Sequence, residues 1–145
     1  MNLFGKKNDT PNTNEAPPPD GPAQRKKVLI VEDETTLADA LEITLRDEGF
    51  DVLKATNGQL GLDMATANKP NIILLDLLMP IMDGKSMLHK LREIPEFKTT
   101  PVIVLTNAGD ADNMRETKFY DNAAAFLIKA NVTPGDIANQ VKTLI

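Results

Sequence analysis

Ile72-Ile73-Leu74-Leu75-Asp76-Leu77-Leu78-Met79-Pro80-Ile81-Met82-Asp83-Gly84 decides the fold. Four apolar residues in succession end in a carboxylate, and turn-forming residues follow. The run is too short for a helix and is flanked by Pro70 and Pro80, so it reads as a buried parallel strand. Ligands in open α/β sheets gather at the carboxyl ends of strands, which makes Asp76 the first candidate for chemistry.

The same pattern recurs on both sides of this stretch. Upstream, Val28-Leu29-Ile30-Val31 is a continuous apolar run of the kind a central strand carries, and it stops at Glu32-Asp33-Glu34. Thr35 or Thr36 is then placed to cap a helix with Leu37, Leu41 and Leu45 on one stripe, and Gly49 supplies a left-handed stop. Asp51–Ala55 reads as a second, weaker strand. Asn57-Gly58 opens a helix to about Asn68, with Pro70 beyond it. Downstream, Asp83 is placed to cap a helix from about Gly84 to Arg92, with Met87, Leu88 and Leu91 apolar. Pro101–Leu105 is a fourth strand ending in Thr106. Residues 111–120 read as a sparsely apolar helix, and Ala125–Ile128 as a fifth strand ending in Lys129. Thr133-Pro134 then starts a helix as cap and first-turn proline, with Ile137, Val141 and Leu144 facing inward. Five strands alternating with five helical segments argue for a doubly wound α/β domain with a parallel sheet and right-handed crossovers.

Composition sets the outer limits. With 145 residues, 41% of them hydrophobic and 26% charged, the chain suits one globular domain plus an appendage. Residues 1–25 hold five of the ten prolines and little that is apolar beyond Leu3 and Phe4, so they read as a disordered tail and 26–145 as the domain. The net charge is −5. Lys6, Lys7 and Arg25 balance Asp9, Glu15 and Asp20 in the tail, so the acidic excess belongs to the domain and disfavours nucleic acid as a partner. There is no cysteine, no secretory leader pattern in Met1 to Lys7, and no apolar run long enough to span a bilayer. A cytoplasmic protein with no membrane partner is the expectation. His89 falls mid-helix among polar neighbours and reads as solvated.

Four of the five expected strands end in polar residues of different kinds: Glu32-Asp33, Asp76, Thr106 and Lys129. If the strands are parallel, these groups share one rim. Three carboxylates there raise one another's pKa unless a cation joins them. A hard, oxygen-ligated ion such as Mg²⁺ satisfies them and leaves Lys129 and Thr106 to meet an anion. That combination suits phosphoryl transfer.

At this point the chain resembles the response-regulator receiver family of two-component signalling, over about 26–145. The resemblance rests on Val31-Glu32-Asp33-Glu34, on Asp76-x-x-Met79-Pro80-x-x-Asp83-Gly84, on Leu105-Thr106 and on Phe126-Leu127-Ile128-Lys129. It implies a flavodoxin-like (βα)5 fold with strand order 2-1-3-4-5 and Asp76 as phosphoacceptor. Asp33, Asp76 and the backbone carbonyl of Leu78 would hold Mg²⁺, with Glu32 acting largely through bound water. Thr106 would hydrogen-bond the phosphoryl group, Lys129 would pair with it, and Phe126 would be an aromatic switch that turns when Thr106 moves. The implied partners are a sensor histidine kinase or phosphotransfer protein, and an output protein at the face of the fourth helix, fifth strand and fifth helix. Such a domain is not an enzyme beyond its own phosphorylation and dephosphorylation.

Three positions depart from the family pattern. Ala130 follows Lys129 where proline is usual, Asn107 follows Thr106 where a small residue is usual, and Asn122 stands where glycine is usual. The sequence ends soon after the fifth helix, which suggests a stand-alone receiver; the alternative is a receiver-like adaptor that works without phosphorylation. An aspartyl-phosphate hydrolase of the haloacid-dehalogenase type needs a second acid two residues after the nucleophile, where Leu78 stands.

Overall fold

The computed structural model describes residues 25–107 and 122–145. The helix expected over 111–120, and the expected tail apart from Arg25, lie outside the described residues. The elements in order are β1 (Lys27–Val31), α1 (Thr35–Asp47), β2 (Asp51–Ala55), α2 (Gly58–Asn68), β3 (Ile72–Asp76), α3 (Gly84–Glu93), β4 (Val102–Thr106), β5 (Ala125–Ile128) and a last helix (Pro134–Leu144). Short 3₁₀ turns occupy Pro95–Phe97 and Lys129–Asn131.

All strand pairs are parallel, in the order β2-β1-β3-β4-β5. This is the 2-1-3-4-5 arrangement expected. The continuous apolar runs of β1, β3 and β4 are explained by burial on both faces. Leu29, Val31, Ile73, Leu75 and Val104 point to one side and pack with Met87, Leu88 and Leu91 of α3 and Ala65 of α2. Val28, Ile30, Leu74 and Ile103 point to the other, against Leu41 and Leu45 of α1 and Ile137 and Val141 of the last helix.

Most helix boundaries follow from local chemistry. The Asn57 side chain accepts from Leu60 N at 2.9 Å to open α2, and Asp83 accepts from Ser86 N at 2.7 Å to open α3. Thr133 and Asp136 close a reciprocal capping box on the last helix, where only the threonine and proline were anticipated. Gly49 takes φ +96 and ends α1, with Phe50 N donating to Leu45 O at 3.1 Å. The expected threonine cap of α1 is not found. Glu34 is the cap residue, without a side-chain bond, and Thr35 and Thr36 lie inside the first turn. The Glu34 amide instead donates to Glu32 Oε2 at 3.1 Å, which carries the chain into the helix one residue sooner. Ile137 and Val141 are buried as expected, and Leu144, half-buried at the helix end, packs against the same core.

The loop 77–83 contains one strained residue. Met82 N donates to Pro80 O at 2.8 Å, closing a three-residue turn around Ile81, which has φ +70 and is 83% exposed. This γ-turn conformation is costly for a β-branched residue. Ile81→Gly is therefore expected to stabilise the fold by about 1 kcal/mol, since strain relief exceeds the added chain entropy of glycine. Urea denaturation would read the shift; a lower midpoint for the variant would mean that the Ile81 side chain makes stabilising contacts.

Candidate functional site

Sheet register assembles the site. Val31 pairs with Leu75, so Glu32 comes level with Asp76 at the ends of β1 and β3. Asp76 pairs with Leu105, which places Thr106 one residue further along β4. Thr106 in turn pairs with Ile128, and Lys129 follows directly. The polar residues that end these strands thus lie along one edge of the sheet, as the sequence implied.

The carboxylates and the lysine meet there. One ligand oxygen from each of Glu32, Asp33 and Asp76 lies within 4.8 Å of the others, with Glu32 and Asp76 buried and Asp33 exposed. Lys129 Nζ stands 3.0 Å from Glu32 Oε1 and 3.2 Å from Asp76 Oδ2, bridging the two buried acids. Glu32 Oε2 accepts from Lys129 Nζ at 3.2 Å as well as from the Glu34 amide. Leu78 N donates to Asp76 Oδ1 at 3.3 Å, which fixes the carboxylate against the start of the loop. Thr106 is fully buried, and its hydroxyl donates to Asn107 O at 3.4 Å.

Electrostatics follow from this crowding. Burial, and then the charge of Asp76, push the Glu32 carboxyl up to about 7, although hydrogen bonds from Lys129 and the Glu34 amide work against the rise. Burial opposes the charge on Lys129, yet its hydrogen bond to Glu32 and the charges of Glu32 and Asp76 outweigh that and raise its pKa. Lys129 therefore stays an ammonium ion. Among the described residues, the two buried carboxylates share Lys129 as their one cation, and Glu32 Oε1, though in ion-pair range of it, accepts no hydrogen bond. An oxygen-only donor set with excess negative charge and an underused buried oxygen fits a hard divalent cation.

Other anticipated residues fall away from this cluster. Phe126 pairs with Val104 in register and is half-buried, packed on the α2 and α3 side of the core. Asn122 adopts φ +55, the left-handed conformation that glycine usually supplies. Asn107 is exposed, and Ala130 lies within the 3₁₀ turn Lys129–Asn131. His89 is on the surface, 3.7 Å from Glu93 one helical turn on. Sequence reasoning missed Arg92, read only as the end of a helix. Its guanidinium donates to Phe97 O, Thr100 O and Asn122 O at 2.7, 2.8 and 3.2 Å, tying α3 to the segments before β4 and β5. No short-range sequence pattern announces a contact spanning thirty residues. Also missed were the close backbone approaches at Gly58 and Gly84.

A doubly wound parallel sheet with carboxylates, a lysine and a threonine at its carboxyl edge defines a flavodoxin-like domain with an acidic, cation-competent rim. A family model described as the response regulator receiver domain matches residues 28–142, and the chain belongs to that family. It is 37% identical over 119 residues to the transcriptional regulatory protein SrrA of Staphylococcus aureus, covering 82% of this chain and 47% of SrrA. The chain thus spans about half the length of the curated relatives it matches. Among solved structures, the chemotaxis protein CheY4 of Vibrio cholerae superposes with a TM-score of 0.76 at 26% identity, covering 83% of this chain and 99% of that one. The receiver domain of a signal transduction histidine kinase from Syntrophus aciditrophicus gives 0.74 at 31% identity, covering 82% and 89%. Receiver domains are signalling domains of two-component systems; they generally accept a phosphoryl group on aspartate, bind Mg²⁺ and interact with histidine kinases or phosphotransfer proteins. Among the described residues, no helix is long and apolar enough to cross a membrane.

Proposed function

We propose that Asp76 is the phosphoacceptor of this receiver. Its carboxylate oxygen attacks the phosphorus of a phosphohistidine, or of a small acyl phosphate, in line with the leaving group. The new O–P bond forms as the P–N or P–O bond breaks, and the leaving group departs with its electron pair. The observation that carries this reading is the placement of Asp76: buried at the end of β3, 3.2 Å from Lys129 and grouped with Glu32 and Asp33.

Asp33, Asp76 and the Leu78 carbonyl are the proposed Mg²⁺ ligands. Glu32, already bonded to Lys129 and the Glu34 amide, acts through bound water. When bound, the ion neutralises charge that develops on the transferring oxygens. Lys129 exchanges its carboxylate partners for the phosphoryl oxygens, the Thr106 hydroxyl donates to one of them, and Phe126 shifts with Thr106. The proposed donor is a sensor histidine kinase or phosphotransfer protein in the cytoplasm. The output is a protein docking at β5, the last helix and the segment 111–120, with no nucleic-acid contact by this domain.

CheY4, covered over nearly its whole chain, supports a receiver acting alone, whereas SrrA is about twice as long. An immunoblot of the native protein separates these readings: a band near 15.9 kDa supports the first, and one about twice as large supports a receiver joined to an output domain.

The test of the site is intact-mass analysis after incubation with acetyl phosphate. One added phosphoryl group in the presence of Mg²⁺, lost when EDTA is added first, is the expected result. A folded, Mg²⁺-binding protein that takes no label would favour the phosphorylation-independent adaptor.

A further inference from the structure

We infer that Gly58, which meets loop 77–83 at the end remote from Asp76 and lies outside the acidic cluster, is a positioning residue for the cation site. The inference rests on the reading of Leu78 as a metal ligand and deepens it. Gly58 is the first residue of α2, and its amide donates to Met82 O at 2.9 Å, tying the helix to the far end of the loop. Its φ is not left-handed, so conformational freedom does not require glycine here. Space does. A Cβ on Gly58 would run into the Met82 carbonyl oxygen, with the Met82 carbonyl carbon and Cγ each 3.0 Å away. Two of those three atoms are backbone and cannot rotate aside.

Which side yields is settled by packing. α2 has little room to retreat onto β1, because Gly61, one turn on, packs so closely on fully buried Val31 that a Cβ there would lie 2.9 and 3.0 Å from its methyl carbons. The first turn of α2 is also held by Asn57, which is buried and accepts from Leu60 N, while its carbonyl accepts from Gly61 N at 2.9 Å. The loop is the softer partner: exposed at Leu78, Pro80, Ile81 and Asp83, and strained at Ile81. A side chain at position 58 therefore displaces Met82 and strains the short path back to Leu78. That path carries both the Leu78 amide that holds Asp76 Oδ1 and the Leu78 carbonyl. Residues that support a ligand without touching the ion commonly set affinity within one to two orders of magnitude.

The experiment compares wild type, Gly58→Ala and Gly61→Ala by Mg²⁺ titration followed in amide NMR spectra, with the urea midpoint of each measured in parallel. Gly61→Ala is the control, since the atoms it crowds most closely are those of Val31 and Met87 in the core, not those of Met82. The expected result is a Kd for Mg²⁺ raised about tenfold by Gly58→Ala and less than about twofold by Gly61→Ala, whatever their relative stabilities. In the metal-free protein, Gly58→Ala should shift the Leu78 and Asp83 amide resonances and Gly61→Ala should not. An unchanged Kd in Gly58→Ala, or equal weakening in both variants, overturns the inference while leaving the site reading intact. Failure of wild type to bind Mg²⁺ overturns both.

Discussion

Gly84→Ala is expected to destabilise the protein by about 3 kcal/mol, at the upper end for overpacking a rigid site. A Cβ at Gly84 would collide with the Asp76 carbonyl oxygen, and it would lie 2.9 Å from both the Asp76 carbonyl carbon and Leu77 Cα. All three are backbone atoms at the end of a central strand buried on both faces, so none has a cheap route away. The Gly84 amide also closes the base of loop 77–83 by donating to Leu77 O at 2.8 Å, and a displaced α3 would lose that bond. The whole of α3, including buried Met87, Leu88 and Leu91, would have to tilt to make room. Chemical denaturation checks this. A loss below about 0.5 kcal/mol, the range of a neutral surface change, would mean that the junction between β3 and α3 relaxes freely.

The second large effect is on chemistry. Asp76→Asn is expected to reduce labelling by acetyl phosphate to background while leaving the fold intact. Asparagine matches the carboxylate in shape, and its side-chain oxygen can still accept from the Leu78 amide. It carries no charge, so it attacks phosphorus poorly and leaves Lys129 with Glu32 alone. Intact mass after incubation with Mg²⁺ and acetyl phosphate reads the outcome. Labelling at the wild-type rate would mean that Asp33 or another carboxylate is the acceptor.

The sheet was legible in the sequence because burial on both faces produces uninterrupted apolar runs at 28–31, 72–75 and 102–105, and because Asn57, Asp83, Thr133 and Gly49 mark helix ends by local hydrogen bonding. The grouping of Glu32, Asp33, Asp76 and Lys129 followed from one assumption, that parallel strands place their ends on one edge, and the resemblance to receivers added the strand order. What stayed hidden was non-local. The α1 cap differs because Glu32 reaches forward to the Glu34 amide, a contact that depends on where the strand end buries the glutamate. Arg92 bonds to carbonyls that approach it only after the sheet has formed. Gly58 and Gly84 resemble ordinary helix-start glycines until the backbone of a distant or folded-back segment is seen against them. The half-burial of Phe126 was likewise not visible: it packs on the core, but β5 lies at the end of the strand order, where all four of its residues are half-buried.

The central claim is that the phosphoryl group resides on Asp76 as an acyl phosphate. Borohydride reduces an acyl phosphate to an alcohol and leaves free carboxylates unchanged, so reduction of the labelled protein followed by peptide mass spectrometry locates the acceptor directly. Homoserine at position 76, in the Mg²⁺-treated sample and absent when EDTA precedes acetyl phosphate, is the predicted result. Homoserine at any other aspartate, or labelled protein with Asp76 unaltered, would contradict it.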